Sequence, residues 1–127
     1  MGTHRDVLVV EDDREINELV GAYVQIAGFE YRSALDGASA LAEARERQPS
    51  LIVLDLMLPD TDGFEVCRRL KQEKHTSAIP IVMLTALSDE EHHRKGRECG
   101  AADYLTKPFD PDVLMAAIKD NASGNGH

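Results

Sequence analysis

The chain has 127 residues, 43% of them hydrophobic and 29% charged, which is enough for one domain with a real core and too little for a second. Its 23 acidic residues against 14 Lys and Arg give a formal charge of -9, which argues against direct binding of nucleic acid, where affinity comes mainly from neutralising phosphates. The apolar runs are strand-length, well short of the ~20 residues that span a bilayer, and no signal-peptide pattern precedes them, so no membrane partner and a cytoplasmic location are expected.

Five strand-like runs alternate with five helical patterns. Residues 7–11 form the first strand, a Val/Leu block closing on Glu11. Ile16, Leu19, Val20, Tyr23, Val24 and Ala27 then mark an apolar stripe at helical spacing, ended by Gly28. A second strand is expected over 29–34, followed by a helix whose apolar face is Ala38, Leu41 and Ala42 and which stops before Pro49. The third strand, 51–55, is Leu-Ile-Val-Leu ending in Asp55; its helix carries Phe64, Cys67 and Leu70. After the fourth strand, 81–84, the stretch 88–98 reads SDEEHHRKGRE, with no apolar side chain and a glycine at 96. A helix without an apolar stripe gains little from packing, so this one is expected to be the least stable and the most mobile. A fifth strand over 103–105 precedes a helix with Val113, Leu114, Ala117 and Ile118. Residues 121–127 are small and polar, reading as a frayed tail or the start of a linker.

Continuous Val/Ile/Leu blocks in the first, third and fourth strands mean burial on both faces, as in a parallel sheet covered by helices. The expected fold class is α/β: a (βα)5 doubly wound, five-stranded parallel sheet of order 2-1-3-4-5, flavodoxin-like, forming one domain over 1–127 with its core at about 6–120. In such a sheet ligands bind at the carboxyl ends of the strands, near the switch point between the first and third. Glu11, Asp12 and Asp55 would flank that crevice, with Thr85 and Lys107 at the ends of the fourth and fifth strands. Two carboxylates about 4 Å apart repel by about 4 kcal/mol at an effective dielectric near 20, a large share of a domain's net stability. A positive group must therefore sit among them. Lys107 is one candidate, and the oxygen-only ligand set also suits a hard divalent cation such as Mg²⁺.

Other residues have simpler readings. Asp13 is expected to cap the first helix, while Asp60 and Asp62 shape the turn before Gly63. His92 and His93 face different ways on a helix and read as solvated surface rather than a metal site. Cys67 and Cys99 are far apart in sequence, form no CxxC pair and read as small apolar groups.

The motifs VLVVEDD, LIVLDLMLPDTDGFE, IVMLTA and GAADYLTKPF occur in that order, with intervals of 43, 30 and 22 residues between Asp12, Asp55, Thr85 and Lys107. Over residues 6–120 the chain thereby resembles the receiver domain of two-component response regulators, of the chemotaxis-regulator type. The resemblance implies that Asp55 is the phosphoacceptor, taking a phosphoryl group from a phosphohistidine of a histidine kinase or histidine phosphotransfer protein. It implies Mg²⁺, with Mn²⁺ able to take its place, held by Asp12, Asp55 and the backbone carbonyl of Met57, with Glu11 acting through water. Lys107 would pair with Asp55 and then with the phosphoryl group, and Thr85 would donate its hydroxyl to that group. Tyr104 would turn from exposed to buried, changing the surface of the fourth helix, fifth strand and fifth helix that faces an output domain or effector. A cis bond between Lys107 and Pro108 is also implied.

Some positions depart from common receiver patterns. Met57 and Leu87 are apolar where polar side chains help orient a hydrolytic water in some receivers, so slow self-dephosphorylation is expected. Val113 and Ala117 stand where some receivers carry charged dimer contacts, leaving monomer or phosphorylation-dependent dimer open. Ile16 and Phe109 are candidate apolar anchors for the phosphodonor. A haloacid-dehalogenase-type hydrolase would want a second Asp at position 57, and a flavin carrier would need a Ser/Thr-rich phosphate loop where Glu11-Asp12-Asp13 stands. A phosphate-independent scaffold is the remaining alternative to a switch that assists its own phosphorylation and slow dephosphorylation without being an enzyme in its own right.

Overall fold

The computed structural model describes residues 5–122. Its elements run β1 (Asp6–Val10), α1 (Arg14–Ile26), β2 (Glu30–Ala34), α2 (Gly37–Glu46), β3 (Leu51–Leu54), α3 (Gly63–Gln72), β4 (Ile81–Thr85), α4 (Glu90–Glu98), β5 (Asp103–Thr106) and α5 (Pro111–Ala122). All strand pairs are parallel, and the order is β2-β1-β3-β4-β5. The three central strands β1, β3 and β4 are buried along their whole length, whereas the edge strands are buried only at Ala34 in β2 and nowhere in β5. Polar edges such as Glu30, Arg32 and Asp103 discourage pairing with a further strand.

The sheet separates two apolar layers. Leu8, Val10, Ile52, Leu54, Ile81 and Met83 face α2 and α3, whereas Val7, Val9, Leu51, Val53, Val82 and Leu84 pack under α1 and α5. Four helices begin on a side-chain cap that satisfies orphan amides, α5 among them, where Asp110 accepts from the Asp112 amide at 2.8 Å. Asp13 accepts from the amides of Glu15 and Ile16, Asp36 from that of Ser39, and Asp62 from that of Glu65. Asp62 is thus a helix cap as well as a turn residue. Asp60 reaches across instead, accepting from the amides of Gly37 and Ala38 at 2.8 and 3.0 Å, which fastens the loop after β3 to the start of α2.

Several helix faces differ from expectation. The buried side of α2 is Ala40, Leu41 and Ala44, while Ala38 and Ala42 face solvent. On α1, Leu19 is 48% exposed, and on α5 Val113 is 51% exposed while Ala117 is core. The final helix continues through Asn121 and Ala122; the rest of the expected tail lies outside the described residues.

Only Gly96 is buried in α4, in keeping with its polar sequence. The two histidines are not simply solvated, however. The His92 ring stacks on Phe64 of α3 and its Nδ1 pairs with Asp89, and the His93 ring lies 4.0 Å from that of Tyr104 in β5. With Asp89 turned to His92, α4 has no side-chain cap of its own. Gly96 is a fitting device: a Cβ there would lie 2.8 Å from the Tyr104 ring.

At the end of the sheet away from Asp55, Asp6 is fully buried and pairs with Arg32 at 2.9 Å, with Arg47 at 3.5 Å. Arg32 also donates to the carbonyls of Glu43 and Arg47, so one guanidinium joins β1, β2 and the end of α2. Removing one partner of a buried pair strands the other charge. Arg32→Ala is expected to lower the unfolding free energy by about 3 kcal/mol, measured by urea denaturation. Arg45→Ala, which breaks the exposed pair with Glu73, should leave it nearly unchanged.

Candidate phosphoacceptor and cation site

Parallel pairing delivers the acidic residues to one edge. β1 and β3 are in register from Val7 with Leu51 to Val10 with Leu54, so the residues that follow, Glu11 and Asp55, leave the sheet side by side. The Asp55 amide donates to the Val10 carbonyl at 3.0 Å, and that of Glu11 to the Ala34 carbonyl at 3.1 Å, extending the ladder just past the strand ends. Carboxylate oxygens of Glu11, Asp12 and Asp55 come within 4.8 Å of one another. Glu11 and Asp55 are buried and Asp12 is exposed, so the cluster has a dry floor and an open rim.

Lys107 supplies the positive charge. Its amide donates to the Thr85 carbonyl at 2.8 Å just beyond the β4–β5 ladder, and its Nζ donates to Asp55 Oδ2 at 3.1 Å and to Glu11 Oε1. Pairing with Glu11 as well as Asp55 goes beyond the single partner expected from sequence. The Lys107–Pro108 peptide bond is cis. Burial works against the Lys107 charge, but the hydrogen bond to Glu11 and the charges of Asp55 and Glu11 outweigh it and hold its pKa above the ordinary lysine value. Burial pushes Glu11 up from the usual carboxylate value, against the pull of Lys107 and of the Asp13 amide that it accepts at 3.0 Å.

The second Asp55 oxygen accepts from the Met57 amide at 3.3 Å. The loop after β3 folds tightly back on itself, with the Gly63 amide on the Leu56 carbonyl. A Cβ at Gly63 would fall 2.5 Å from the Asp55 carbonyl oxygen, so this approach requires glycine. Met57 itself is 59% exposed at the rim.

Thr85 is fully buried at the end of β4, and its Oγ1 accepts from the Leu87 amide at 3.4 Å. Tyr104 is half-buried rather than exposed, its ring between His93 and Gly96 and its hydroxyl donating to the Leu87 carbonyl. Burial raises its pKa, with smaller contributions from the Asp89 and Asp55 charges. Ile16 and Phe109 are both half-buried, Phe109 standing edge-on to Tyr23.

Sequence reasoning missed Asn17. It is buried, and its Nδ2 donates to the carbonyls of Val9, Glu11 and Ala34 at 3.2, 3.0 and 3.2 Å while its Oδ1 accepts from the Tyr31 hydroxyl. It thereby ties the acidic loop to β2. A lone Asn on an otherwise apolar helix face, four residues after the capping Asp13, was the available signal.

Oxygen ligands at this spacing fit a hard divalent cation, and three carboxyl groups exceed what one ammonium can balance. Lys107→Met is therefore expected to destabilise the metal-free protein by about 2 kcal/mol, measured by urea denaturation. The deficit should shrink when Mg²⁺ is added. It should also shrink as pH falls through the raised Glu11 range, where that carboxyl becomes neutral. The stabilisation from Lys107 should persist through neutral pH and be lost only above the ordinary lysine range, the sign required of a base whose folded pKa is raised.

The family model for the response regulator receiver domain matches residues 7–119. Among curated relatives, the transcriptional regulatory protein GltR of Pseudomonas aeruginosa is 48% identical over 91% of this chain and 48% of its own length. The DNA-binding dual master transcriptional regulator RpaA of Synechocystis is 44% identical over 89% of this chain and 47% of its own. The chain thus spans about half the length of the curated relatives it matches. Solved structures agree: the chemotaxis protein CheY4 of Vibrio cholerae has a TM-score of 0.87 at 32% identity, covering 94% of this chain and 99% of its own. The receiver domain of the Francisella response regulator 1452 has a TM-score of 0.88 at 30% identity, covering 96% and 99%. The Synechocystis relative is named as DNA-binding, so the expected exclusion of nucleic acid is not supported beyond the charge of these 127 residues. No helix among the described residues is long and apolar enough to cross a membrane. By profile, identity and fold together, this chain belongs to the response regulator receiver domain family, the phosphoacceptor switches of two-component signalling.

Proposed function

We propose that Asp55 is the residue that accepts the phosphoryl group, and that Glu11, Asp12, Lys107 and Thr85 make it competent to do so. The supporting observation is the shared ammonium of Lys107, bonded to Asp55 and Glu11 within a carboxylate cluster that Asp12 completes. An Asp55 oxygen attacks the phosphorus of a partner's phosphohistidine; the P–O bond forms, the P–N bond breaks and the imidazole leaves. Lys107, a flexible point charge, can follow the negative charge from the carboxylate to a phosphoryl oxygen. Asp12, Asp55 and the Met57 carbonyl, with Glu11 through a water, would hold Mg²⁺ or Mn²⁺. Such an ion, when bound, would cancel carboxylate repulsion and stabilise charge on the phosphoryl oxygens.

Thr85 leaves its contact with the Leu87 amide to donate to the phosphoryl group, which draws in the loop bearing Leu87. The Tyr104 hydroxyl is bonded to that same loop at the Leu87 carbonyl, so its movement reaches α4, β5 and α5. The chain acts as a switch that assists its own phosphorylation, not as a turnover enzyme, and works in the cytoplasm with a histidine kinase or histidine phosphotransfer protein. The receiver is a single domain with its core at about 6–120. The relatives are named transcriptional regulators and are about twice as long, which supports an output domain acting in transcription.

Intact mass after incubation with acetyl phosphate and Mg²⁺ is expected to show one phosphoryl adduct in the wild type and none in Asp55→Asn. With apolar Met57 and Leu87 at the rim, decay of the adduct in the same sample should take hours. Decay within seconds would contradict the role given to those two residues, and an adduct on Asp55→Asn would contradict the assignment of the acceptor.

A further inference from the structure

The two cysteines, separated by 32 positions, meet in space. Cys67 lies on the buried face of α3, and Cys99 is the half-buried C-cap of α4, with Sγ atoms 3.1 Å apart. Cys67 Sγ also donates to the Cys99 carbonyl at 3.3 Å, and Cys99 Sγ to that of Gly96 at 3.4 Å. The sulfurs therefore already face each other, and a bond of about 2.05 Å requires them to close by about 1 Å. The chain can yield at this point: α4 buries only Gly96, and Cys99 is followed by Gly100 at φ 96, a left-handed helix end.

The thiols are unequal. Cys67 is wholly buried, while Cys99 borders a groove lined by Phe64, Arg68, Lys95 and Glu98. The contact with the Cys67 sulfur, aided by backbone amides and the Lys71 charge, outweighs burial and pulls Cys99 down to about 7; the same contact and burial push Cys67 far up. Cys99 is thus the sulfur that solvent can reach and the more acidic of the two, and Cys67 the thiol behind it. A zinc site is not an alternative: among the described residues, only Glu11, Asp12 and Asp55 gather three or more metal-ligating groups.

We propose that Cys67 and Cys99 form a reversible modification site, an intramolecular disulfide made by exchange with a small disulfide such as glutathione disulfide, which fastens the C-terminal end of α4 to α3. The Cys99 thiolate attacks one sulfur of the reagent, forming a mixed disulfide and expelling a thiolate. Cys67 then gives up its proton and attacks the Cys99 sulfur, closing the protein disulfide and releasing the second thiolate. Two protein thiols are oxidised and one reagent disulfide is reduced to two thiols. The consequence falls on α4, whose position the Tyr104 and His93 rings share.

The test incubates the full chain with glutathione disulfide and reads intact mass, a non-reduced peptide map and hydrogen exchange. The expected result is loss of two hydrogens, a Cys67–Cys99 cross-linked peptide, reversal by dithiothreitol, and slower exchange across α4. Cys67→Ala should stop at a stable glutathione adduct on Cys99, and Cys99→Ser should not react. A glutathione adduct that persists on wild-type Cys99, a covalent dimer, or unchanged α4 exchange after closure would overturn the proposal. If Cys67→Ala does not fold, the wild-type and Cys99→Ser outcomes still decide it.

Discussion

Mutual repulsion of carboxylates at the carboxyl edge of β1 and β3 is the constraint around which the rest of the structure is arranged. Parallel register puts Glu11 and Asp55 next to each other, and burial denies them the water that would screen them. Lys107 comes from a distant part of the sequence to lie between them, carried there by the β4–β5 ladder. One ammonium does not balance three carboxyl groups, and that imbalance is the physical basis of the proposed cation site. A domain built only for stability would have placed apolar side chains there.

The surroundings keep this unfavourable arrangement in place. Asn17 holds the acidic loop from behind with three carbonyl contacts, and Gly63 lets the loop after β3 approach the Asp55 backbone. Asp13, immediately after the acidic pair, is occupied in capping α1. Three consecutive acidic residues therefore have three different settings: Glu11 is buried against Lys107, Asp12 is exposed at the rim, and Asp13 caps α1. On the far side of β4 the structure is looser. Thr85, Leu87, Tyr104 and α4 are joined by a few hydrogen bonds and ring contacts rather than by a packed apolar stripe.

The fold was legible where one physical demand dominates. Leu51 to Leu54 and Ile81 to Leu84 are apolar at every position, which only a strand buried on both faces accommodates. It was less legible where residue types are ambivalent. Alanine is tolerated on either side of a helix, so the choice of Ala38 and Ala42 for α2 lost to Ala40 and Ala44. The acidic cluster could be read because its members end strands of known order. Asp6 with Arg32, Asn17 with Tyr31, and Cys67 with Cys99 could not, since each pair is made by tertiary packing and leaves no local pattern. Gly96 shows the limit most clearly: in the sequence it weakens a helix, and in the structure it makes room for a ring.

Calorimetric titration of Mg²⁺ into the wild type and into Asp12→Asn, with the thermal midpoint followed in parallel, tests the charge imbalance most directly. One ion bound by the wild type, a midpoint that climbs with Mg²⁺, and much weaker binding by the variant are expected. A folded wild-type protein with no binding heat and an unmoved midpoint would contradict it.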